Sequence, residues 1–165
     1  MPILDQHSLE FPSLSAEQTA RLGARLGELL TPGDLICVSG EIGAGKTTFI
    51  TGVGRGWGAL EPVTSPSFVI VNEHHRADRA RLWHLDCYRL RSGAEALALG
   101  FDDLLESGAV MLIEWPERIL EALPPEHLRL TLRWLDETKR NCWMNARGTR
   151  YEDLLRTFRK NAFGR

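Results

Sequence analysis

A glycine-rich segment between an apolar run and a helical stretch places the strongest constraint on how this chain folds. Residues 40–47, Gly-Glu-Ile-Gly-Ala-Gly-Lys-Thr, have the spacing G-x-x-x-x-G-K-[ST], which forms a phosphate-binding loop when a strand precedes it and a helix follows it. Both flanks are present, because residues 35–38 are Leu-Ile-Cys-Val and residues 46–57 contain no proline. We therefore expect an α/β protein in which this loop joins a buried strand to a helix.

The residue types in the loop are those that a polyphosphate requires. Glycines let several backbone amides turn toward one point, and the positive end of the following helix adds to them. Lys46 is predicted to reach the β and γ phosphates, and the Thr47 hydroxyl is predicted to bind Mg²⁺. The predicted nucleotide-binding residues are Gly43, Ala44, Gly45, Lys46, Thr47 and Thr48.

Two acidic residues follow apolar runs and are candidates for the acid that such a site needs at the end of another strand. Glu114 comes after the apolar residues 109–113, and Asp86 comes after the less apolar residues 82–85. Both are predicted catalytic acids, one of them binding Mg²⁺ and the other orienting or deprotonating the attacking water, and Glu114 follows the more regular apolar run. The spacing leaves the division of roles between them open.

The remaining patterns predict one α/β domain over residues 1–165, with a mainly parallel central sheet, antiparallel edge strands and flanking helices. The first helix is capped by Ser13 or Ser15 and ends at Pro32-Gly33. Further predicted strands cover residues 68–71, 82–85, 109–113 and 128–134, and further helices cover residues 101–106 and 151–160. The glycines at 52, 54 and 56 weaken the prediction for the end of the helix that follows the loop.

Composition limits the classes of protein to which the chain can belong. With 43% hydrophobic and 25% charged residues it resembles an average folded domain. It has no apolar run of the roughly 18 residues that a membrane span needs and no signal sequence, so we expect a cytoplasmic protein. The three cysteines are predicted to be buried free thiols, namely Cys37, Cys87 and Cys142.

The charge is distributed unevenly along the chain. Residues 1–138 carry a net charge of -8, whereas residues 139–165 carry +6, from eight basic and two acidic side chains. Such a basic end suits contact with RNA or with an acidic protein surface, and it equally suits a solvated helix.

Other nucleotide-dependent proteins have sequence features of their own. The chain has no Asn-Lys-x-Asp motif, so GTP selectivity of the usual kind is unsupported. Two alternative functions stay open. One is a small-molecule kinase, because of the arginines at positions 76, 79, 81, 89 and 91, and the other is a nucleotide-gated interaction module.

Four blocks together resemble the motifs of the bacterial TsaE family, also called YjeE. They are residues 40–49, then Thr64-Ser-Pro-Ser-Phe68, then His84-Leu-Asp-Cys-Tyr-Arg89, then Ile113-Glu-Trp-Pro116. The resemblance implies an ATPase of tRNA threonylcarbamoyladenosine (t6A) biosynthesis that works with TsaD and TsaB and contacts tRNA indirectly through that complex.

The resemblance also implies particular roles for residues in these blocks. It places ATP and Mg²⁺ at Lys46 and Thr47, Mg²⁺ at Glu114, a catalytic or Mg-linked acid at Asp86, and a switch-like loop near the γ phosphate at residues 64–68. Trp115 resembles the tryptophan that lies beside the site in that family. The basic segment 139–165 matches none of its short motifs, so its role stays open.

Overall fold

The computed structural model describes residues 3–63 and 71–164, and the side chains from residue 5 on. The strands are β1 (Ile3–Leu4), β2 (Ser8–Ser13), β3 (Leu35–Ser39), β4 (Val71–His75), β5 (Arg81–Asp86), β6 (Val110–Glu114), β7 (His127–Trp134) and β8 (Arg140–Arg147). The α-helices are α1 (Ala16–Gly27), α2 (Lys46–Trp57), α3 (Gly93–Ala98), α4 (Phe101–Glu106) and α5 (Thr149–Phe163), and a 3₁₀ helix spans Pro116–Ala122.

The described strands form one sheet in the order β1-β2-β8-β7-β3-β6-β5-β4. β7, β3, β6 and β5 are parallel neighbours, while β4 on one side and β8, β2 and β1 on the other pair antiparallel. The parallel β3 and β6 are buried along their whole length, because helices cover both faces of the sheet there. The predicted fold class, α/β with a parallel centre and antiparallel edges, is confirmed.

The alternation of side chains along each strand divides the core between the two faces of the sheet. Ile36 and Val38 of β3 pack with the apolar sides of α1, α2 and α5, whereas Leu35 and Cys37 pack with α3, α4 and the 3₁₀ helix. Both faces of β3 and β6 are therefore buried, which leaves the ends of these strands as the places where polar side chains can gather.

Glycines bring α1 and α2 into backbone contact. A Cβ at Gly52 would lie 2.1 Å from the Ala20 carbonyl oxygen, and one at Gly23 would lie 2.2 Å from that of Phe49. A Cβ at Gly27 or at Gly56 would be equally close to a backbone carbonyl oxygen of the other helix, at 2.1 and 2.0 Å. The glycines that weakened the sequence prediction for α2 are thus explained by packing, since only glycine lets the helices approach so closely.

Most predicted elements are present, with shifts at their ends. α2 and α4 have the predicted bounds, and Ser15 caps α1 by accepting from the Gln18 N–H at 3.1 Å. The prediction that α1 continues to Pro32-Gly33 is wrong. α1 ends at Gly27, and the backbone after it turns more tightly, through i→i−3 hydrogen bonds. The predicted strand at 68–71 and the predicted switch-like loop at 64–68 lie outside the described residues, apart from Val71, where β4 begins.

Other elements were not anticipated from the sequence. They are β1, β2, α3, β8 and the 3₁₀ helix. β8 begins the basic segment and lies inside the sheet between β2 and β7. Its inward residues include Cys142, and all three cysteines are buried free thiols, as predicted. None of the helices in the described part of the chain has the length and apolar character that a bilayer-crossing segment requires.

Candidate nucleotide site

The glycine-rich loop leaves the carboxyl end of β3 and enters α2 at Lys46. Gly40, Gly43 and Gly45 all have positive φ, and Gly45 occupies the N-cap of α2 in the left-handed region. A Cβ at Gly40 would lie 2.7 Å from the Leu132 carbonyl oxygen. The loop therefore needs glycine both for its backbone angles and for its close contact with β7.

Lys46 lies inside the curve of the loop and is 7% exposed. Its Nζ donates to the Gly40 carbonyl and, at 3.0 Å, to the Glu41 carbonyl, and it lies 4.4 Å from the centre of the Trp115 ring. Burial lowers the pKa of this amine, and the nearby carboxylates, that of Glu114 foremost, oppose the shift. The ammonium is thus held by weak neutral acceptors that a phosphate oxygen can replace.

Asp86 and Glu114 end β5 and β6 and are direct partners in the parallel register. Glu114 is buried, and its Oε2 lies 2.8 Å from Nε2 of the buried His84. An ionised carboxylate only accepts, so His84 donates from Nε2. His84 is thus a buried partner that holds the Glu114 carboxylate in place.

The second acid is more open to solvent than Glu114. Asp86 accepts from the Tyr88 N–H at 3.0 Å through Oδ1. Partial burial raises the pKa of its carboxyl, and the charge of Glu114 raises it further. A carboxyl in such surroundings is a better proton acceptor than an ordinary surface aspartate.

An aromatic wall closes one side of the site. The rings of Tyr88 and Trp115 lie 4.9 Å apart, and the Arg118 guanidinium lies 5.3 Å from the Tyr88 ring centre. Trp115 has φ 56°, an uncommon value for a residue that is not glycine. This backbone conformation turns its ring over Lys46, which places Trp115 beside the site, as the resemblance implied.

These groups surround a cleft of about 450 Å³. It is lined by Ile42, Gly43, Gly45, Lys46, Thr47, Thr48, Asp86, Tyr88, Glu114, Trp115 and Arg140. Of the residues predicted for the site, only Ala44 is not among them: it is 1% exposed, and its N–H donates to the Glu41 carbonyl at 3.0 Å. The structure brings the others together, and their roles remain predictions.

The oxygen donors of the cleft fit a hard cation. A threonine hydroxyl and two carboxylates, from Thr47, Glu114 and Asp86, line it, and Mg²⁺ prefers such ligands. No group of three or more His, Cys, Asp or Glu residues suited to a metal occurs in the described ranges. A Mg²⁺ site does not need such a group, because that ion keeps several waters and uses phosphate oxygens beside one or two protein ligands.

Arg140 lines the cleft although no motif pointed to it. The sequence contained only one hint, the excess of basic residues after position 138. Arg140 opens β8, and the antiparallel pairing of β8 with β7 brings it to the loop. A residue almost a hundred positions from the loop can be assigned to it only from the tertiary structure.

Three of the five arginines that kept a kinase as an alternative lie away from the cleft. Arg76, Arg79 and Arg81 line a separate hollow with Trp57 and Gly108. Arg81 begins β5 and Asp86 ends it, so the two are separated by about 16 Å of extended chain. These three side chains form no lid over the cleft.

The fold and the cleft together define the class of protein. A glycine-rich loop joins a central parallel strand to a helix, with a lysine at the start of that helix and acids at the ends of neighbouring strands. This is the arrangement of P-loop proteins. The sequence model described as "Threonylcarbamoyl adenosine biosynthesis protein TsaE" matches residues 13–142. The chain belongs to the TsaE family, and the resemblance seen in its motifs is confirmed.

Individual relatives agree with this assignment. The TsaE protein of Bacillus subtilis is 34% identical over 146 residues, which cover 88% of this chain and 90% of the relative. The TsaE protein of Streptomyces coelicolor is 44% identical over 112 residues, covering 67% and 76% of the two chains. The crystal structure of Bacillus subtilis YdiB is similar with a TM-score of 0.78 and 30% identity, covering 98% of this chain and 97% of that one.

Proposed function

We propose that this chain is the ATP-binding, Mg-dependent ATP-hydrolysing component of the machinery that makes t6A in tRNA. The family and the names of the relatives support the t6A part of the proposal. The meeting of the glycine-rich loop, Lys46, Asp86 and Glu114 in one cleft supports the ATPase part. The proposed partners are TsaD and TsaB, with tRNA contacted indirectly through their complex.

Lys46 and the loop amides carry the binding of ATP in this proposal. The ammonium exchanges the carbonyls of Gly40 and Glu41 for oxygens of the β and γ phosphates. The N-terminus of α2 directs its first backbone amides and its positive dipole end at the same phosphates. Together these groups favour a polyphosphate over a neutral ligand.

The Thr47 hydroxyl and the Glu114 carboxylate would hold Mg²⁺, and the His84 hydrogen bond keeps Glu114 in place. Bound there, Mg²⁺ neutralises charge on the phosphates. Asp86, whose pKa is raised by burial, orients or deprotonates the attacking water. This assignment of the two acids is part of the proposal and is tested by the variants described below.

The chain by itself is expected to hydrolyse ATP slowly. Phosphoryl transfer depends on cationic groups placed at the γ phosphate, and a missing arginine finger costs about 10³–10⁵ in rate. Arg140, the one arginine lining the described cleft, is engaged with backbone carbonyls. A partner that completes the site would therefore accelerate the reaction.

Phosphate release measured for the chain alone, for TsaD with TsaB, and for the mixture tests this proposal. We expect a low rate from the chain and a large increase on mixing that requires Mg²⁺. A full rate without partners, unchanged on mixing, would contradict partner dependence. ATP binding without hydrolysis in any mixture would instead favour a nucleotide-gated interaction module, and labelled phosphate on an organic acceptor would indicate a kinase.

A further inference from the structure

Arg140 donates hydrogen bonds to four backbone carbonyls from two different segments. Its Nε donates to Ala44 at 3.0 Å and its Nη2 to Gly43 at 3.1 Å, both in the glycine-rich loop. Its Nη1 donates to Asp136 at 2.7 Å and to Lys139 at 2.9 Å, both in the turn between β7 and β8. One guanidinium thus ties the loop to the turn.

The use of these donors decides what kind of role Arg140 can have. A guanidinium has five N–H donors, and four of those of Arg140 are engaged with the protein. An arginine finger needs its donors for the transferred phosphate, whereas Arg140 directs them at the backbone. No carboxylate within ion-pair distance of Arg140 occurs among the described residues, so its positive charge also stays beside the loop.

The hydrogen bonds to the loop determine which way its amides face. In a trans peptide the C=O and the next N–H point in opposite directions. Because Arg140 holds the carbonyls of Gly43 and Ala44, the N–H groups of Ala44 and Gly45 point away from it. That of Ala44 is used by the Glu41 carbonyl, and that of Gly45 has no acceptor within the described part of the chain.

The turn that carries Arg140 is itself held by a side chain. Oδ1 of Asp136 accepts from the N–H groups of Thr138 and Lys139 at 2.9 and 2.8 Å. These hydrogen bonds fix the turn whose carbonyls bind Arg140. The connection therefore runs from Asp136 through Arg140 to the glycine-rich loop.

We propose that Arg140 is a positioning residue that holds the glycine-rich loop in its phosphate-accepting shape and couples that shape to the β7–β8 turn. The part of this inference that concerns nucleotide affinity rests on the proposed function. The part that concerns the order of the loop does not, because these hydrogen bonds join protein groups only. Two separate measurements can therefore test the two parts.

The first measurement is hydrogen–deuterium exchange of residues 40–48 in the nucleotide-free protein. Arg140→Gln removes the charged fork, and Arg140→Lys keeps the charge but supplies a single donor group that cannot reach both segments. Both variants should exchange faster in the loop than the parent, and Asp136→Ala should do so to a smaller degree. Arg133→Gln is the control, because Arg133 is exposed on β7 and its side chain makes no hydrogen bond or ion pair within the described residues.

The second measurement is the affinity for ATP and for ADP. We expect Arg140→Gln to weaken both by about tenfold, because binding must then also order the loop, at a cost of about 1.4 kcal/mol. Recovery of affinity in Arg140→Lys would mean that charge alone matters and would overturn the positioning role. Unchanged loop exchange in Arg140→Gln and Asp136→Ala would overturn it as well, even if Arg140→Gln proved too unstable for titration at equilibrium.

The two measurements separate the failure of this inference from the failure of the proposed function. A parent protein that binds no nucleotide would contradict the proposed function, and the exchange rates of residues 40–48 would still decide whether Arg140 orders the loop. A parent that binds ATP, with variants of equal affinity and equal exchange, would leave the proposed function standing and overturn the inference alone.

Discussion

Lys46 is the residue on which nucleotide binding is expected to depend most. Its ammonium is buried in the loop beside Trp115 and donates to two carbonyls. We predict that Lys46→Ala lowers ATP affinity by about 10- to 100-fold or more, since charged hydrogen bonds contribute about 1.5–3 kcal/mol each. Equilibrium titration with ATP measures this loss. Lys160→Ala, at an exposed position of α5, is the control, and equal affinity in Lys46→Ala and the parent would remove the basis of the site.

The two acids are distinguished by their surroundings. Glu114 is buried against His84, while Asp86 is half-buried. We predict that Glu114→Gln leaves ATP binding measurable but weakens its dependence on Mg²⁺, because an amide keeps the shape and loses the charge that the cation prefers. Titration of Mg²⁺ at fixed ATP, compared with Asp86→Asn, tests the assignment. If Asp86→Asn alone had this effect, the roles of the two acids would be exchanged.

At the scale of elements, the contact between α1 and α2 positions the loop. α2 begins at Lys46 and packs on α1 through glycines that leave no room for a side chain. We predict that Gly52→Ala lowers the free energy of unfolding by about 1–3 kcal/mol, because its Cβ meets the Ala20 carbonyl and overpacking of this kind costs about that much. Chemical denaturation measures the change.

The sign of this change is informative by itself. In an open helix, replacing glycine with alanine stabilises by about 1 kcal/mol, so any loss of stability in Gly52→Ala reports the clash between the helices. Lys160→Ala again serves as the exposed control. A stabilised Gly52→Ala variant would show that α1 and α2 are farther apart than in this structure.

For the whole molecule, stability should fall as the pH is lowered through the histidine range. His127, at the start of β7, is 4% exposed, and burial lowers its pKa from the ordinary 6.5. The unfolded chain therefore binds a proton at a higher pH than the folded protein does. The contribution of His127 to the free energy of unfolding is fully present above about pH 6.5. It is lost as the pH falls toward the lowered pKa that His127 has in the folded protein.

Replacement of His127 by asparagine isolates its contribution, since the amide can still donate to the Pro124 carbonyl that Nδ1 contacts at 2.9 Å. We predict that the free energy of unfolding of His127→Asn declines less than that of the parent between about pH 7.5 and pH 5.5, around the unperturbed value. His74, whose pKa is also lowered by burial, is common to both proteins and cancels in the comparison. Parallel pH profiles would contradict the prediction.

The sequence predicted well where a local pattern dictates structure. The apolar runs of β3 and β6, the glycine spacing of the loop and the start of α2 at Lys46 are all properties of neighbouring residues. Asp86 and Glu114 were predicted as strand-end acids, and their parallel register brings them side by side. Their catalytic roles stay predictions, because position alone does not show which of them binds a metal and which handles the water.

The class of fold, the loop with Lys46 and Thr47 and the family could all be read from the amino-acid sequence, because hydrophobic period, glycine angles and motif spacing act over short stretches of chain. Three-dimensional contacts were needed to show that β8 lies between β2 and β7, that glycines join α1 to α2, and that Arg140 contacts the carbonyls of Gly43 and Ala44. Those contacts join segments far apart in the chain, and their free energy comes from pairing and burial that no local pattern contains.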